Sequence, residues 1–294
     1  MRRRDFLIRP VGVIVTLLLT ACGSPTVPTP RPDMSTAVLV GAGDIAQCGS
    51  PGSAMTARLL DRLPGAVFTA GDNAYMSGTA EEFQQCYEPT WGRHRSRTRP
   101  VPGNHDYGSP GAAPYYAYFG AAAGPAGLGY YAYDAGPWRV VALNTEIDHG
   151  AGSPQVQWLR AELTARRTQC TLAILHRPRF TSGINGENRD VGELWNVLYE
   201  LDVDVAISGH DHQYERFAPQ DPAGRPDASR GVRQFVVGTG GAALYPLQPP
   251  RPNSEIQGSA FGVLSLTLSA GAYQWEFIPV DGASLHDSGA GICH

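Results

Sequence analysis

A chain of 294 residues, of which 42% are hydrophobic and 17% charged, contains enough apolar side chains for a sizeable core. Its formal net charge of −4 argues against a protein that binds nucleic-acid backbones, because such proteins present basic surfaces. No internal repeat of about 20–50 residues is visible, which argues against solenoid and propeller architectures.

The beginning of the sequence has the features of an export signal rather than of a folded segment. Three arginines at positions 2–4 precede an apolar run at 11–19 that is too short to span a bilayer. The following Leu19-Thr-Ala-Cys22 resembles the lipobox of bacterial lipoproteins, and the arginines resemble the start of a twin-arginine signal. We therefore expect residues 1–21 to be removed and Cys22 to be lipidated. The protein would then be exported and anchored at the outer face of a bacterial membrane, with a conventionally cleaved secreted protein as the alternative.

Residues 22–36 are rich in proline and suit an extended tether. A chain that begins at Cys22 lacks four arginines and Asp5, which leaves 19 basic and 26 acidic residues and a net charge of −7. This negative charge strengthens the case against nucleic acid as a partner. Residues 37–294 are expected to form one folded domain.

Short apolar runs alternate with amphipathic stretches through this domain. Strands are predicted at 37–40, 66–70, 130–134, 138–143, 171–175, 203–208, 233–237, 261–268 and 273–278, and residues 98–101 are predicted to be extended. Helices are predicted at 53–63, 79–87, 154–166 and 191–201, and the third of them starts at a Ser-Pro pair. Strands and helices alternate early, whereas strands dominate late, which favours an α/β sandwich of one domain.

Four cysteines remain once Cys22 is set aside, and an exported chain with four cysteines is expected to form two disulfides. Three pairings are open. We favour Cys48–Cys86 together with Cys170–Cys293.

Polar side chains of the kinds that bind metal ions follow five of the extended segments. In an open α/β sheet, ligands bind beyond the carboxyl ends of the strands, so these side chains are expected to meet at one edge. They supply carboxylate, phenol, amide and imidazole groups, which together are typical of a metal site. The residues are Asp44, Asp72, Tyr75, Asn104, His176, His210 and His212.

These motifs, in this order, resemble those of the calcineurin-like metallophosphoesterase superfamily, and within it the purple acid phosphatase branch. Most of the superfamily has a ligand histidine two residues after the first aspartate, but Asp44-Ile-Ala46 lacks it. Tyr75, in Gly71-Asp72-x-x-Tyr75, takes its place as in the purple branch. Ala46 stands where that branch usually has glycine.

The resemblance implies an αββα sandwich, a single catalytic domain at 37–294 and two metal ions. One ion would be held by Asp44, Tyr75 and His212; the other by Asn104, His176 and His210; and Asp72 would bridge them. Phenolate and carboxylate favour Fe(III), whereas imidazole and amide oxygen suit a divalent Fe, Zn or Mn ion. Two such ions activate water and stabilise the entering and leaving oxygens of a phosphoryl group.

Three further residues are candidates for contact with the substrate. His105 adjoins Asn104 and is predicted to stabilise developing charge or to protonate the leaving oxygen, with a supporting role in the loop as the alternative. Asp106 is predicted to orient His105, with an ordinary acidic surface residue as the alternative. Arg177 follows His176 and is predicted to contact a phosphate oxygen, although it could equally point away.

Arginines alternate at positions 93, 95, 97 and 99, just before the Asn104 loop. A solvated edge strand is the preferred interpretation, and steering of anionic substrates is the alternative.

The leading functional hypothesis is a phosphomonoesterase that acts on small phosphate esters by attack of metal-activated water on phosphorus. The nearest alternative is a phosphodiesterase or nucleotide-cleaving enzyme with the same metal centre. A non-catalytic binding lipoprotein would be expected to lack ligands, yet all seven are present. A redox protein is the remotest alternative.

Overall fold

The computed structural model describes residues 36–294, so the predicted signal peptide, Cys22 and nearly all of the predicted tether lie outside the described residues. The strands of this range are β1 Thr36–Ala42, β2 Ala46–Gln47, β3 Ala66–Ala70, β4 Ala74–Tyr75, β5 Thr98–Val101, β6 Tyr131–Ala135, β7 Trp138–Ala142, β8 Thr171–Ile174, β9 Val205–Ser208, β10 Tyr214–Phe217, β11 Arg233–Val237, β12 Ser254–Gly258, β13 Gly262–Ser269, β14 Ala272–Pro279 and β15 Asp287–Ile292. The α-helices are α1 Gly52–Arg62, α2 Ala80–Glu82, α3 Ala113–Phe119, α4 Pro154–Ala165 and α5 Gly192–Glu200.

Two mixed sheets form the framework. The first has the order β15-β14-β13-β1-β3-β5, in which β1, β3 and β5 are parallel and the other three strands pair antiparallel. The second has the order β12-β10-β11-β9-β8-β7-β6, with β7, β8, β9 and β11 parallel. In each sheet the parallel strands are consecutive neighbours, so their carboxyl ends can deliver several loops to one edge.

The core follows from the alternation of side chains along the strands. Val140 belongs to an apolar cluster that also contains Leu39 of β1 and Val67 of β3, so it joins the two sheets. The next residue, Val141, belongs to a second cluster in which α4 and α5 cover the other face of the second sheet. Successive side chains of a strand point to opposite faces, which is why one strand can serve both clusters. This arrangement is the predicted αββα sandwich.

Helix α4 begins where its sequence predicts. The Ser153 side chain accepts a hydrogen bond from the backbone N–H of Val156 at 3.2 Å, and Pro154 occupies the first turn, where no N–H partner is required. Most predicted strands and helices are found within a few residues of their expected bounds. Strands β2, β4, β10, β12 and β15 and helix α3 were not predicted.

Both favoured disulfides are present. Cys48 is bonded to Cys86, and Cys170 is bonded to Cys293 across 123 residues of sequence. Within residues 36–294, no helix is long and apolar enough to cross a membrane.

The preferred interpretation of the alternating arginines is wrong for most of them. Residues 91–97 form a 3₁₀ segment, and only Arg99 lies on β5, at the edge of the first sheet. Arg97 donates to the backbone oxygens of Leu60 and Leu63 at the end of α1, and Arg93 pairs with Asp61 at 2.7 Å. Free carbonyl groups at a helix end attract cations, so Arg97 caps the end of α1, while Arg93 adds an ion pair to the same helix.

Candidate metal centre

The loops after β1 and β3 are joined along their backbones. Asp44 N donates to Gly71 O at 3.0 Å, and Ile45 N donates to Asp72 O at 2.9 Å. The two loops then continue as the short parallel pair β2 and β4. Ala46, the departure from the family pattern, is fully buried in this pair without disturbing it. This pairing brings the first two carboxylates together and places Tyr75 beside them.

Three site residues have left-handed backbone conformations that are unfavourable for residues with side chains. The φ angles are 60° at Asp44, 51° at Asp72 and 71° at His210. Each of these residues follows a glycine directly after a strand. Such conformations persist where surrounding contacts enforce them, and they concentrate at functional sites.

Glycine is required at two of the turns because other site groups approach the backbone closely. A Cβ atom on Gly71, whose φ is 84°, would lie 2.3 Å from Nδ1 of His176. A Cβ atom on Gly103 would lie 2.3 Å from Oδ1 of Asp72. These glycines therefore allow the loops to close around the cluster.

The first group of donor atoms surrounds the Tyr75 hydroxyl. Its oxygen lies 2.8 Å from Oδ1 of Asp44, 3.0 Å from Oδ2 of Asp72 and 3.1 Å from Nε2 of His212. The other oxygen of each carboxylate is held by a backbone N–H, from His210 on Asp44 and from His105 on Asp72. Both carboxylates consequently present one oriented oxygen to the cluster.

The second group shares the same Asp72 oxygen. Nε2 of His176 lies 3.3 Å from Oδ2 of Asp72 and 3.0 Å from Oδ1 of Asn104. His210 completes this group, because ligand atoms of Asp72, His176 and His210 all lie within 4.8 Å of one another. The structure thus brings all seven predicted side chains into two groups that meet at Asp72.

Two of the imidazoles are oriented by backbone carbonyl groups. Nδ1 of His176 contacts Ala70 O at 2.8 Å, and Nδ1 of His212 contacts Ala243 O at 2.7 Å. A carbonyl oxygen can only accept, so Nδ1 carries the hydrogen in both rings. Nε2 is left with its lone pair directed into the cluster, as in histidines that bind metal ions.

Burial and neighbouring charges shift the pKa values of three residues in the cluster. Burial, together with Asp44 and Asp72, raises the pKa of Tyr75 well above its usual value. Although burial opposes it, the Asp72 carboxylate raises the pKa of His176 to about 10. Burial and the nearby His176 and Arg177 lower the pKa of His210 to about 3. A buried set of carboxylates, phenol, amide and imidazoles of this kind provides the donor groups that two metal cations prefer.

His105 lies at the edge of the cluster and is partly exposed. Its ring centroid is 4.3 Å from that of Tyr75, and its Nε2 is 3.9 Å from Oδ2 of Asp72. Nδ1 donates to Met76 O at 2.7 Å, which directs Nε2 toward the centre. A substrate held at the cluster would therefore meet the Nε2 atom of His105.

The predicted role of Asp106 is wrong, because its carboxylate does not contact His105. It accepts hydrogen bonds from the backbone N–H groups of Asn73 and Gly103, at 3.2 and 2.9 Å, and from the Asn73 side chain. Burial and the Asp72 charge raise the pKa of Asp106 to about 7. Asp106 is fully buried and ties the loop after β3 to the loop after β5, so its contribution is structural.

Replacing Asp106 by alanine is expected to lower the free energy of unfolding by roughly 3 kcal/mol, because buried N–H groups lose their acceptor. Asp106→Asn retains one acceptor oxygen and should lose less. The melting temperatures of both variants in thermal unfolding, together with their metal contents, test this expectation. A normal melting temperature in Asp106→Ala combined with lost activity would indicate a catalytic role instead.

Arg177 faces the cluster and is held by a residue that the sequence analysis missed. Its Nε and Nη2 atoms donate to the two carboxylate oxygens of Glu146 at 2.9 and 3.0 Å, and Nη1 lies 3.4 Å from Nε2 of His210. Glu146 lies in the polar Asn144-Thr-Glu sequence after β7. The criterion used for the other site residues, a polar side chain that follows a predicted strand, would also have identified Glu146.

Tyr245 was also not predicted from the sequence, and no motif in the sequence indicates it. Its ring stacks on His212 with centroids 4.0 Å apart and an angle of 6° between the planes. Its backbone N–H donates to His212 O at 3.0 Å. Tyr245 therefore packs against the ring that also contacts Tyr75 and Asp44.

Comparisons with known proteins find purple acid phosphatases among those similar to this chain. The chain is 32% identical over 148 residues to purple acid phosphatase 22 of Arabidopsis thaliana, a match that covers 45% of this chain and 32% of that protein. It is 26% identical over 180 residues to probable inactive purple acid phosphatase 9 of the same plant, covering 54% and 28%. The matches thus span about a third of the length of these curated relatives.

The solved structure of purple acid phosphatase PPD1 from yellow lupin superimposes with a TM-score of 0.75 at 22% identity, covering 89% of this chain and 55% of that one. At this identity the likeness concerns the fold. A family model described as calcineurin-like phosphoesterase matches residues 29–214, which is more than half of the sequence. The chain therefore belongs to the calcineurin-like phosphoesterase family.

Proposed function

We propose that this protein hydrolyses phosphomonoesters at a binuclear metal centre. The observation that carries the proposal is the convergence of seven donor side chains in two groups that share Oδ2 of Asp72. The curated plant relatives are named purple acid phosphatases, which favours a phosphatase over a phosphodiesterase.

The two groups differ in donor chemistry, which favours a different ion in each. Asp44, Tyr75 and His212 would hold Fe(III), because a carboxylate and a phenolate are hard anionic donors. Asn104, His176 and His210 would hold a divalent Fe, Zn or Mn ion, and Asp72 would bridge the two. When bound, the pair of ions supplies activated water and stabilises charge on the phosphoryl oxygens.

The residues of the chain have separate tasks around that centre. Nε2 of His105, once protonated, can donate its proton to the leaving oxygen of the ester, since Nδ1 is occupied by Met76 O. Arg177 can donate to a phosphoryl oxygen from the side of His210. The buried carboxylates and histidines would bind the ions.

A panel of phosphomonoesters and phosphodiesters with the same leaving group, combined with metal analysis, tests the proposal. We expect close to two metal ions per chain, one of them iron, and faster turnover of monoesters. His210→Ala is expected to lose metal and activity together. Faster turnover of diesters would favour a phosphodiesterase or nucleotide-cleaving enzyme, and the absence of both metal and activity would favour a binding lipoprotein.

We also propose that the protein is exported and anchored to a bacterial membrane through lipidated Cys22. The N-terminal signal features support export. The two disulfides support it as well, because disulfides persist in oxidising compartments.

Replacing Cys22 by serine is expected to release the protein from the membrane fraction or to block processing, because serine has no thiol for the lipid. Metabolic labelling with a fatty-acid analogue and membrane fractionation measure the change. A wild-type protein that fails to incorporate the label would contradict the anchor.

A further inference from the structure

We infer that Glu146 is a positioning residue that directs Arg177 onto the transferred phosphoryl group, and that this pair makes the site selective for monoesters over diesters. The inference rests on the proposed function and adds a substrate preference to it.

The pair has a defined geometry. Nε and Nη2 of Arg177 form a two-point contact with the Glu146 carboxylate, at 2.9 and 3.0 Å. The Glu146 side chain is 9% exposed and that of Arg177 is 25% exposed. A planar guanidinium bound along one edge has a fixed plane, so its remaining nitrogen, Nη1, points in a set direction.

That direction is toward the metal centre. Nη1 lies 3.4 Å from Nε2 of His210, its one hydrogen-bond partner among residues 36–294. If Nε2 of His210 binds a metal ion, its lone pair is used, and Nη1 must donate elsewhere. A phosphoryl oxygen at the centre is the acceptor that the proposed reaction brings to this place.

The pair is also held firmly in the fold. Strands β7 and β8 are parallel neighbours, and Glu146 and Arg177 follow their carboxyl ends. Thr145 links the two, because its hydroxyl donates to Glu146 Oε1 at 2.9 Å and accepts from Arg177 N at 3.3 Å. Glu146 N in turn donates to Asn144 Oδ1 at 3.0 Å. The guanidinium is thus oriented before substrate arrives.

The preference for monoesters follows from charge and oxygen count. A monoester dianion has three terminal oxygens, whereas a diester anion has two and one charge fewer. Glu146 offsets the positive charge of Arg177, so the pair acts through a directed hydrogen bond rather than through net attraction. A donor aimed at a third terminal oxygen stabilises a bound monoester more than a diester.

The test compares Arg177→Ala, Arg177→Lys, Glu146→Gln and the double variant Glu146→Gln/Arg177→Ala. The measurements are kcat/KM for a monoester and a diester with the same leaving group, calorimetric affinity for inorganic phosphate, and metal content. Arg160→Ala is the matched control, because Arg160 also pairs with glutamates but does so between α4 and α5.

We expect Arg177→Ala to lower both kcat/KM for the monoester and phosphate affinity roughly 10–100-fold, the range of a charged hydrogen bond, with diester turnover little changed. Arg177→Lys should show nearly the same losses in kcat/KM and phosphate affinity as Arg177→Ala, because lysine retains the charge but not the two-point contact. Glu146→Gln should shift the same quantities by a smaller factor, and the double variant should be no worse than Arg177→Ala. Metal content should stay normal in all of them.

Equal losses on monoester and diester, or unchanged phosphate affinity, would overturn the inference while leaving the metal centre in place. Loss of metal from Glu146→Gln or Arg177→Lys would also overturn it, because the pair would then support His210 instead of the substrate. If the wild-type protein bound no metal, that result would contradict both the proposed function and this inference.

Discussion

Replacing Tyr75 by phenylalanine is expected to abolish the visible absorption of the oxidised, iron-loaded protein. A phenolate bound to Fe(III) produces a charge-transfer band in the visible, and Tyr75 is the phenol within 3.1 Å of Asp44, Asp72 and His212. Phenylalanine keeps the ring that packs on His105, so the loop should retain its shape. The absorption spectrum and the iron content of the same sample measure the effect.

Tyr87→Phe provides the matched control for this experiment. Tyr87 is also a fully buried tyrosine, but its hydroxyl has no hydrogen-bond partner within residues 36–294. Its replacement should leave the colour unchanged. A wild-type protein that binds iron at this site yet is colourless when oxidised would show that Tyr75 is not a ligand.

Replacing His105 by alanine is expected to lower kcat by roughly 10²–10⁴-fold, the range of general acid–base catalysis, while metal content stays near normal. The seven donors of the cluster do not include His105, whose Nε2 is 3.9 Å from Asp72 and whose Nδ1 is bound to Met76 O. Kinetics and metal analysis of the same sample separate the two effects.

The leaving group and the pH profile distinguish a general acid from a group that only stabilises charge. A basic leaving oxygen needs its proton most, so the loss should be larger for an alkyl phosphate than for a nitrophenyl phosphate. A general acid acts in its protonated form, so removing it should change the alkaline limb of the pH–rate profile.

Two further variants serve as controls for the His105→Ala result. The exposed His286 lies just before β15, an edge strand three positions from β1 in the first sheet, and His286→Ala should behave as wild type. His210→Ala should lose metal and activity together. If His105→Ala loses a metal ion, or loses equal activity on good and poor leaving groups, His105 is not the general acid.

The local features of the fold could be read from the sequence because they depend on near neighbours. Alternating apolar residues predicted the central strands, and the Ser153-Pro154 pair predicted the start of α4. Strands such as β10 and β12 were missed because their stability comes from pairing with distant strands rather than from a local pattern.

The same distinction applies to the site. Residues that directly follow strands, such as Asp44 and His176, could be selected because the carboxyl ends of parallel strands meet at one edge. Their distances could not, because these depend on how the two sheets pack and on the backbone pairing of the first two loops. The roles of Asp106, Glu146 and Tyr245 also required the tertiary structure.

The sequence by itself therefore determined which chemical groups are available at the strand ends and in what order. The family resemblance implied that the seven groups divide into two sets around Asp72, and the tertiary structure gave the distances between them. Only the tertiary structure decided that Asp106 serves the loops rather than His105, and that Glu146 orients Arg177. The physical reason is that residue type and strand position are local properties, whereas hydrogen-bond partners and burial arise when segments far apart in sequence pack together.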